Sequence, residues 1–143
     1  MTPIGLFYGS DTGYTEIVVN MMVEEFSLVA PDLLTVYNIA DVDVTAMLPY
    51  DHLIIGCPTW DVGQLQADWD KVYGRLESLD FSGKQVAFFG LGDQYGYPDT
   101  YVDAIGILAE VFVKQGAQLV GLTSTEGYEF TDSKGVRDGQ FLG

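Results

Sequence analysis

The sequence predicts an α/β fold, a single domain built on a parallel sheet with helices on both faces. Three observations carry that expectation. Strand-like and helix-like patterns alternate along the chain. The strand candidates read as continuous apolar runs, as strands buried on both faces do. The first run breaks abruptly into glycines and hydroxyls and resumes as a helix, the local signature of a strand, a loop and a helix start. At 143 residues, 48% of them hydrophobic, the chain has core for one domain, burying about two-thirds of its unfolded surface. No internal repeat or low-complexity segment divides it.

Taken in order, Ile4 to Tyr8 reads as a buried strand. A helix follows from Gly13 to about Phe26, where Ile17, Met21, Met22 and Phe26 recur at helical spacing and Glu16, Glu24 and Glu25 fall elsewhere on the wheel. Pro31-Asp32 closes that unit. Leu33 to Ile39 is a second strand, and Asp41 to Leu48 is at most a short helix before Pro49. Leu53 to Gly56 forms a third strand, Gln66 to Leu79 a helix, and Lys84 to Gly90 a fourth strand. Asp99 to Gln115 is a helix that Gly116 ends at its C′ position. Leu119 to Leu122 begins a fifth strand, after which residues 123–143 are polar and aromatic with no further helical pattern.

Six basic residues against 21 acidic ones leave a net charge of −15. Such a field repels nucleic acid and anionic membranes and attracts basic partners. The single cysteine, Cys57, cannot form an internal disulfide or half of a C-x-x-C pair, and the same count excludes iron–sulfur and structural zinc sites. Met1 is followed at once by a strand rather than a basic and apolar leader, and no apolar run approaches about 18 residues, so the expectation is a soluble cytoplasmic protein. His52, the only histidine, has no partner motif for acid–base work and reads as structural.

Three loops carry chemistry. In the first, Ser10, Thr12 and Thr15 surround Gly13 at a helix start, where unpaired backbone N–H groups and the helix dipole favour an anion. No basic residue precedes Lys71, which suits one terminal phosphate better than a triphosphate with its metal. Neither the G-x-x-x-x-G-K-[ST] loop nor G-x-G-x-x-G is present, and a plain helix N-cap would select similar residues. The second loop, Gly56 to Gln64, places Trp60 among Pro58, Asp61 and Gly63. The third, Gly90 to Asp99, sets Tyr95 and Tyr97 between glycines. In a parallel sheet all three lie at the carboxyl end, where Trp60 and Tyr97 can sandwich a flat ring whose polar edge meets loop backbone groups.

Together, Ser10-Asp11-Thr12-Gly13-Tyr14-Thr15, Pro58-Thr59-Trp60-Asp61-Val62-Gly63, Gly92-Asp93-Gln94-Tyr95-Gly96-Tyr97 and Thr125-Glu126-Gly127-Tyr128-Glu129-Phe130 resemble a long-chain bacterial flavodoxin over essentially all 143 residues. The resemblance implies a three-layer doubly wound sheet with strand order 2-1-3-4-5, residues 123–143 being the long-chain insertion in strand five. It implies FMN bound noncovalently, with Ser10, Thr12, Thr15 and the amides of the loop from Ser10 to Tyr14, Asp11 and Gly13 included, on the phosphate. Trp60, carried by Pro58 and Thr59, would cover one ring face and Tyr97 the other. Backbone around Asp61, Gly63, Asp93 and Gln94 would meet the ring edges, and Leu91, Gly92, Asp99 and Thr100 would line the pocket. The function implied is one-electron transfer between a basic-surfaced reductase and acceptor enzymes, by a monomer with no catalytic residues and no metal.

The charge agrees with that reading: near so acidic a domain an anionic reduced flavin is disfavoured, which makes it a strong reductant. The resemblance departs at Val19 and Met22, inside the first helix, and beyond Gly143, where members of the family continue with the rest of strand five, an acidic loop and a last helix. Two other readings remain: a flavin-dependent NAD(P)H:quinone reductase of the same fold, and a shortened form with impaired FMN binding. A signalling receiver would need acidic residues after strand one and a lysine after strand five, and Gly9-Ser10 and Ser124-Thr125 supply neither.

Overall fold

A computed structural model describes residues 3–9, 14–30, 32–60, 64–65, 67–91, 103–120, 123–124, 135–137 and 140–141. The chain runs β1 (Ile4–Tyr8), α1 (Tyr14–Val29), β2 (Leu34–Asn38), a 3₁₀ turn (Val44–Met47), β3 (His52–Trp60), β4 (Gln64–Leu65), α2 (Ala67–Leu76), β5 (Gln85–Leu91), α3 (Asp103–Lys114), β6 (Gln118–Val120), β7 (Thr123–Ser124), β8 (Val136–Arg137) and β9 (Gln140–Phe141).

Five strands pair in parallel in the order β2-β1-β3-β5-β6. Counting parallel strands alone, this is the expected 2-1-3-4-5. The register is continuous across the centre: Tyr8 lies beside Asn38 on one side and Gly56 on the other, and Gly56 beside Phe89. The expected strand from Leu119 to Leu122 is described as far as Val120, residues 121–122 lying outside the described residues, and Thr123 and Ser124 join a separate antiparallel sheet, β7-β9-β8.

Alternation along the strands divides the apolar residues between two faces. Phe7, Leu53, Ile55, Cys57, Val86 and Phe88 pack with Trp69 and Leu76 of α2 and with Ile105, Leu108 and Phe112 of α3, none of them more than 3% exposed. Phe81 and Phe88 flank Phe112 with ring centroids 4.5 and 5.6 Å away. The other face carries Leu6 and Tyr8 against Val19 of α1, ringed by Met22, Leu34, Val36, Ile54 and Phe89, which are only partly buried. Among the described residues α1 is the helix that packs on this thinner face.

Helix α1 buries part of the expected stripe, Met22 and Phe26, but not Ile17 and Met21. At about 100° per residue, Thr15, Val18, Val19, Met22 and Phe26 fall within an arc of roughly 100°, and these are the positions of α1 that are buried or half-buried. Ile17 and Met21, about half a turn away, are 52% and 59% exposed.

Helix α3 ends as expected. Gly116 has φ of 105°, its N–H donates to the Val113 carbonyl, and that of Ala117 donates to the Phe112 carbonyl. This pair of bonds closes a helix on a left-handed residue, a conformation costly for any side chain with a Cβ.

Candidate functional site

Strand order reverses at β1, which has β2 on one side and β3 on the other. In open parallel sheets the crevice outside the carboxyl ends at such a reversal is where ligands bind. Here the chain leaves β1 at Tyr8, and the N–H of Gly9 donates to the Gly56 carbonyl at 3.1 Å, the last rung between β1 and β3. Helix α1 begins at Tyr14, so its N-terminus opens close to the end of β1.

The first turn of α1 holds the most informative side chain. Thr15 is 1% exposed, and its Oγ1 has no hydrogen-bond partner among the described residues. A buried hydroxyl left unpaired costs about 1–3 kcal/mol, and it lies where the helix's first N–H groups also have no intrahelical partner. Glu16 is the charged residue of that turn, and no basic residue precedes Lys71. The described residues of this first turn therefore offer an anion backbone amides and the Thr15 hydroxyl. At the base of the crevice Tyr8 is 8% exposed. Burial, and then the charge of Glu16, raise its phenol above the ordinary value, partly offset by a hydrogen bond with Asn38, so it stays neutral.

Strand β3 does not stop at Gly56, as its sequence predicts, but continues to Trp60. It stays in register with β5 through Cys57 beside Gly90 and Pro58 beside Leu91. It then turns back on itself, Thr59 pairing with Leu65 and Trp60 with Gln64. Pro58 reads as a breaker because it has no N–H to donate, yet a proline is tolerated where a strand leaves its ladder. Trp60 is thus carried on the last rung of an antiparallel hairpin.

Of the residues expected at the site, Tyr14 and Thr15 open α1, Pro58, Thr59 and Trp60 end β3, and Leu91 ends β5. The sheet brings these segments to one end and sets Pro58 and Leu91 side by side. Ser10, Asp11, Thr12, Gly13, Asp61, Gly63, Gly92, Asp93, Gln94, Tyr97, Asp99 and Thr100 lie outside the described residues.

Three residues at this end carry no sequence signal of their own. The Gly56 carbonyl accepts both the Gly9 N–H and, at 2.8 Å, the indole N–H of Trp69. Phe89 lies against Gly56 on the α1 face. A glycine ahead of Cys57-Pro58 and a tryptophan set between Asp68 and Asp70 are the available hints. Cys57 is fully buried on the α2/α3 face. His52 starts β3, at the opposite end of the sheet, beside a hollow of about 470 Å³ lined with Asp51, Lys84, Gln85 and Gln118. Among the described residues no group of three or more His, Cys, Asp or Glu is placed to hold a metal ion, and no helix is long and apolar enough to cross a membrane.

Comparison with known proteins gives a consistent result. The flavodoxin family profile matches residues 6–138. A flavodoxin of Nostoc sp. is 49% identical over 140 residues, covering 98% of this chain and 81% of that protein. Flavodoxin 2 of Escherichia coli is 45% identical, over 97% of this chain and 79% of its own. The crystal structure of Fusobacterium nucleatum flavodoxin bound to flavin mononucleotide superposes with a TM-score of 0.91 at 32% identity, covering 100% of this chain and 83% of that one.

Proposed function

The chain belongs to the flavodoxin family, and from that premise we propose that it binds FMN noncovalently and carries single electrons between a reductase and acceptor enzymes, as an electron-transfer protein rather than an enzyme. The observation that carries the reading is the buried, unpartnered hydroxyl of Thr15 at the start of α1. A phosphate oxygen is the acceptor that such a group, with the free amides around it, is built to meet. Flavodoxin with FMN is itself one of the proteins from which the rule of binding at a strand-order reversal is drawn.

In this reading Ser10, Thr12, Thr15 and the loop amides hold the phosphate, with Asp11, Gly13 and Tyr14 shaping the loop. Trp60 covers one face of the ring and Tyr97 the other. Backbone groups around Asp61, Gly63, Asp93 and Gln94 meet its edge, while Pro58, Thr59, Leu91, Gly92, Asp99 and Thr100 close the pocket. When bound, FMN supplies the ability to take up and release electrons one at a time. The chain's own part is to orient the ring, limit water around it and, at a net charge of −15, resist the build-up of negative charge on it, which lowers its potential.

The same charge selects basic redox partners through brief, salt-sensitive encounters, with the carrier acting as a cytoplasmic monomer. The chain is one domain, residues 123–143 forming an insertion in the last parallel strand. FMN-loaded protein tests the reading. Electrons should arrive slowly from NADPH alone and rapidly when a flavoprotein reductase is added, at a rate that falls with rising salt. Fast direct oxidation of NADPH would point instead to a quinone reductase.

A further inference from the structure

We propose that Trp69 is a positioning residue for both arms of the proposed FMN site, acting through the carbonyl oxygen of Gly56; the proposal rests on the reading above. Trp69 is 0% exposed, and its indole N–H reaches that oxygen at 2.8 Å. The oxygen's second donor is the N–H of Gly9, at 3.1 Å. Gly9 is the residue from which the phosphate-binding segment 10–13 departs, and Gly56 is followed directly by Cys57, Pro58, Thr59 and Trp60. One oxygen therefore ties the exit of β1 and the final stretch of β3 to helix α2, and both of its lone pairs are used. Gly56 is also held from the α1 side, because the Phe89 ring fills the space where a side chain would stand. The Gly56–Cys57 peptide is thus fixed at the point where the two arms diverge. Binding sites lose affinity when such a support loosens, even though the support touches no ligand.

A buried indole N–H needs an acceptor in any case, so the test must separate positioning from general stability. Hydrogen exchange on the apoprotein does so. In Trp69→Phe the Gly9 amide should exchange at least about tenfold faster than any change at the β3 core amide of Ile55 accounts for, the scale of one lost buried hydrogen bond. FMN titration of the same variant should show Kd raised about tenfold. Phe81→Leu, at the opposite end of the sheet, should lower stability yet leave Kd within about twofold. Equal acceleration at Gly9 and Ile55, or a Kd that follows stability alike in both variants, would overturn the proposal. Should Trp69→Phe not fold, a benzothiophene analogue at position 69, which keeps the fused ring and replaces N–H with sulfur, takes its place in both measurements. If the unmodified protein does not bind FMN, the proposed function fails, while the exchange comparison still decides the role of Trp69.

Discussion

The ring of Phe89 lies over Gly56 so closely that a Cβ on Gly56 would run into its Cζ. Two strand neighbours in register thereby share one side chain's worth of space.

Gly56→Ala must drive the Phe89 ring outward. Phe89 is half-buried, so the ring can move, and the expected loss is about 1–3 kcal/mol, the usual cost of overpacking. It should read as a lower urea midpoint with an unchanged slope. A midpoint equal to that of the parent would show that the contact is not tight.

Thr15→Val should change stability and binding in opposite directions. The isosteric methyl removes an unpaired buried hydroxyl, so the apoprotein should gain about 1 kcal/mol. The same change removes a donor to the phosphate and should weaken FMN binding by about 1–2 kcal/mol. Urea unfolding of the apoprotein and an FMN titration check the two halves, and movement of both in one direction would argue against the assignment of Thr15.

Asp43 caps the 3₁₀ turn through the Thr45 N–H and pairs with Arg75 Nη2 at 2.8 and 2.6 Å. The Arg75 guanidinium, and then the Thr45 amide, hold its carboxyl below the usual carboxylate range. Because the folded value lies below the unfolded one, near 3.9, this contribution is fully present above about pH 4 to 5 and fades as pH falls through the depressed value. The stability difference between the parent and Arg75→Gln should therefore shrink from pH 7 to pH 3. It should also shrink in high salt, since both side chains are about half exposed. A difference independent of both pH and salt would contradict the pairing.

Much of the fold was legible because its signals are local. Gly116 announces the end of α3 by being the residue that tolerates positive φ, and continuous apolar runs such as Ile4 to Tyr8 announce strands covered on both faces. The buried side of α1 was not legible, because the helix carries two apolar stripes and only the sheet's position decides that Val19 and Met22 face it while Ile17 and Met21 do not. The extension of β3 was hidden by Pro58, which punctuates a sequence more strongly than it interrupts this strand. The loop residues proposed for the site follow a spacing read from the sequence, and most of them lie outside the described residues. The Gly56 carbonyl joins residues that sequence separates, Gly9 and Trp69, and no periodicity records such a junction.

The most direct measurement is a side-by-side fluorescence titration of the apoprotein with FMN and with riboflavin. FMN should bind one to one with strong quenching if the ring stacks on Trp60 and Tyr97 as proposed. Riboflavin, lacking the phosphate, should bind at least about tenfold more weakly, and Trp60→Ala and Tyr97→Ala should each cost about 1–3 kcal/mol of FMN affinity. Equal affinity for the two flavins, or FMN fluorescence unchanged by the protein, would contradict a flavin site built on the start of α1.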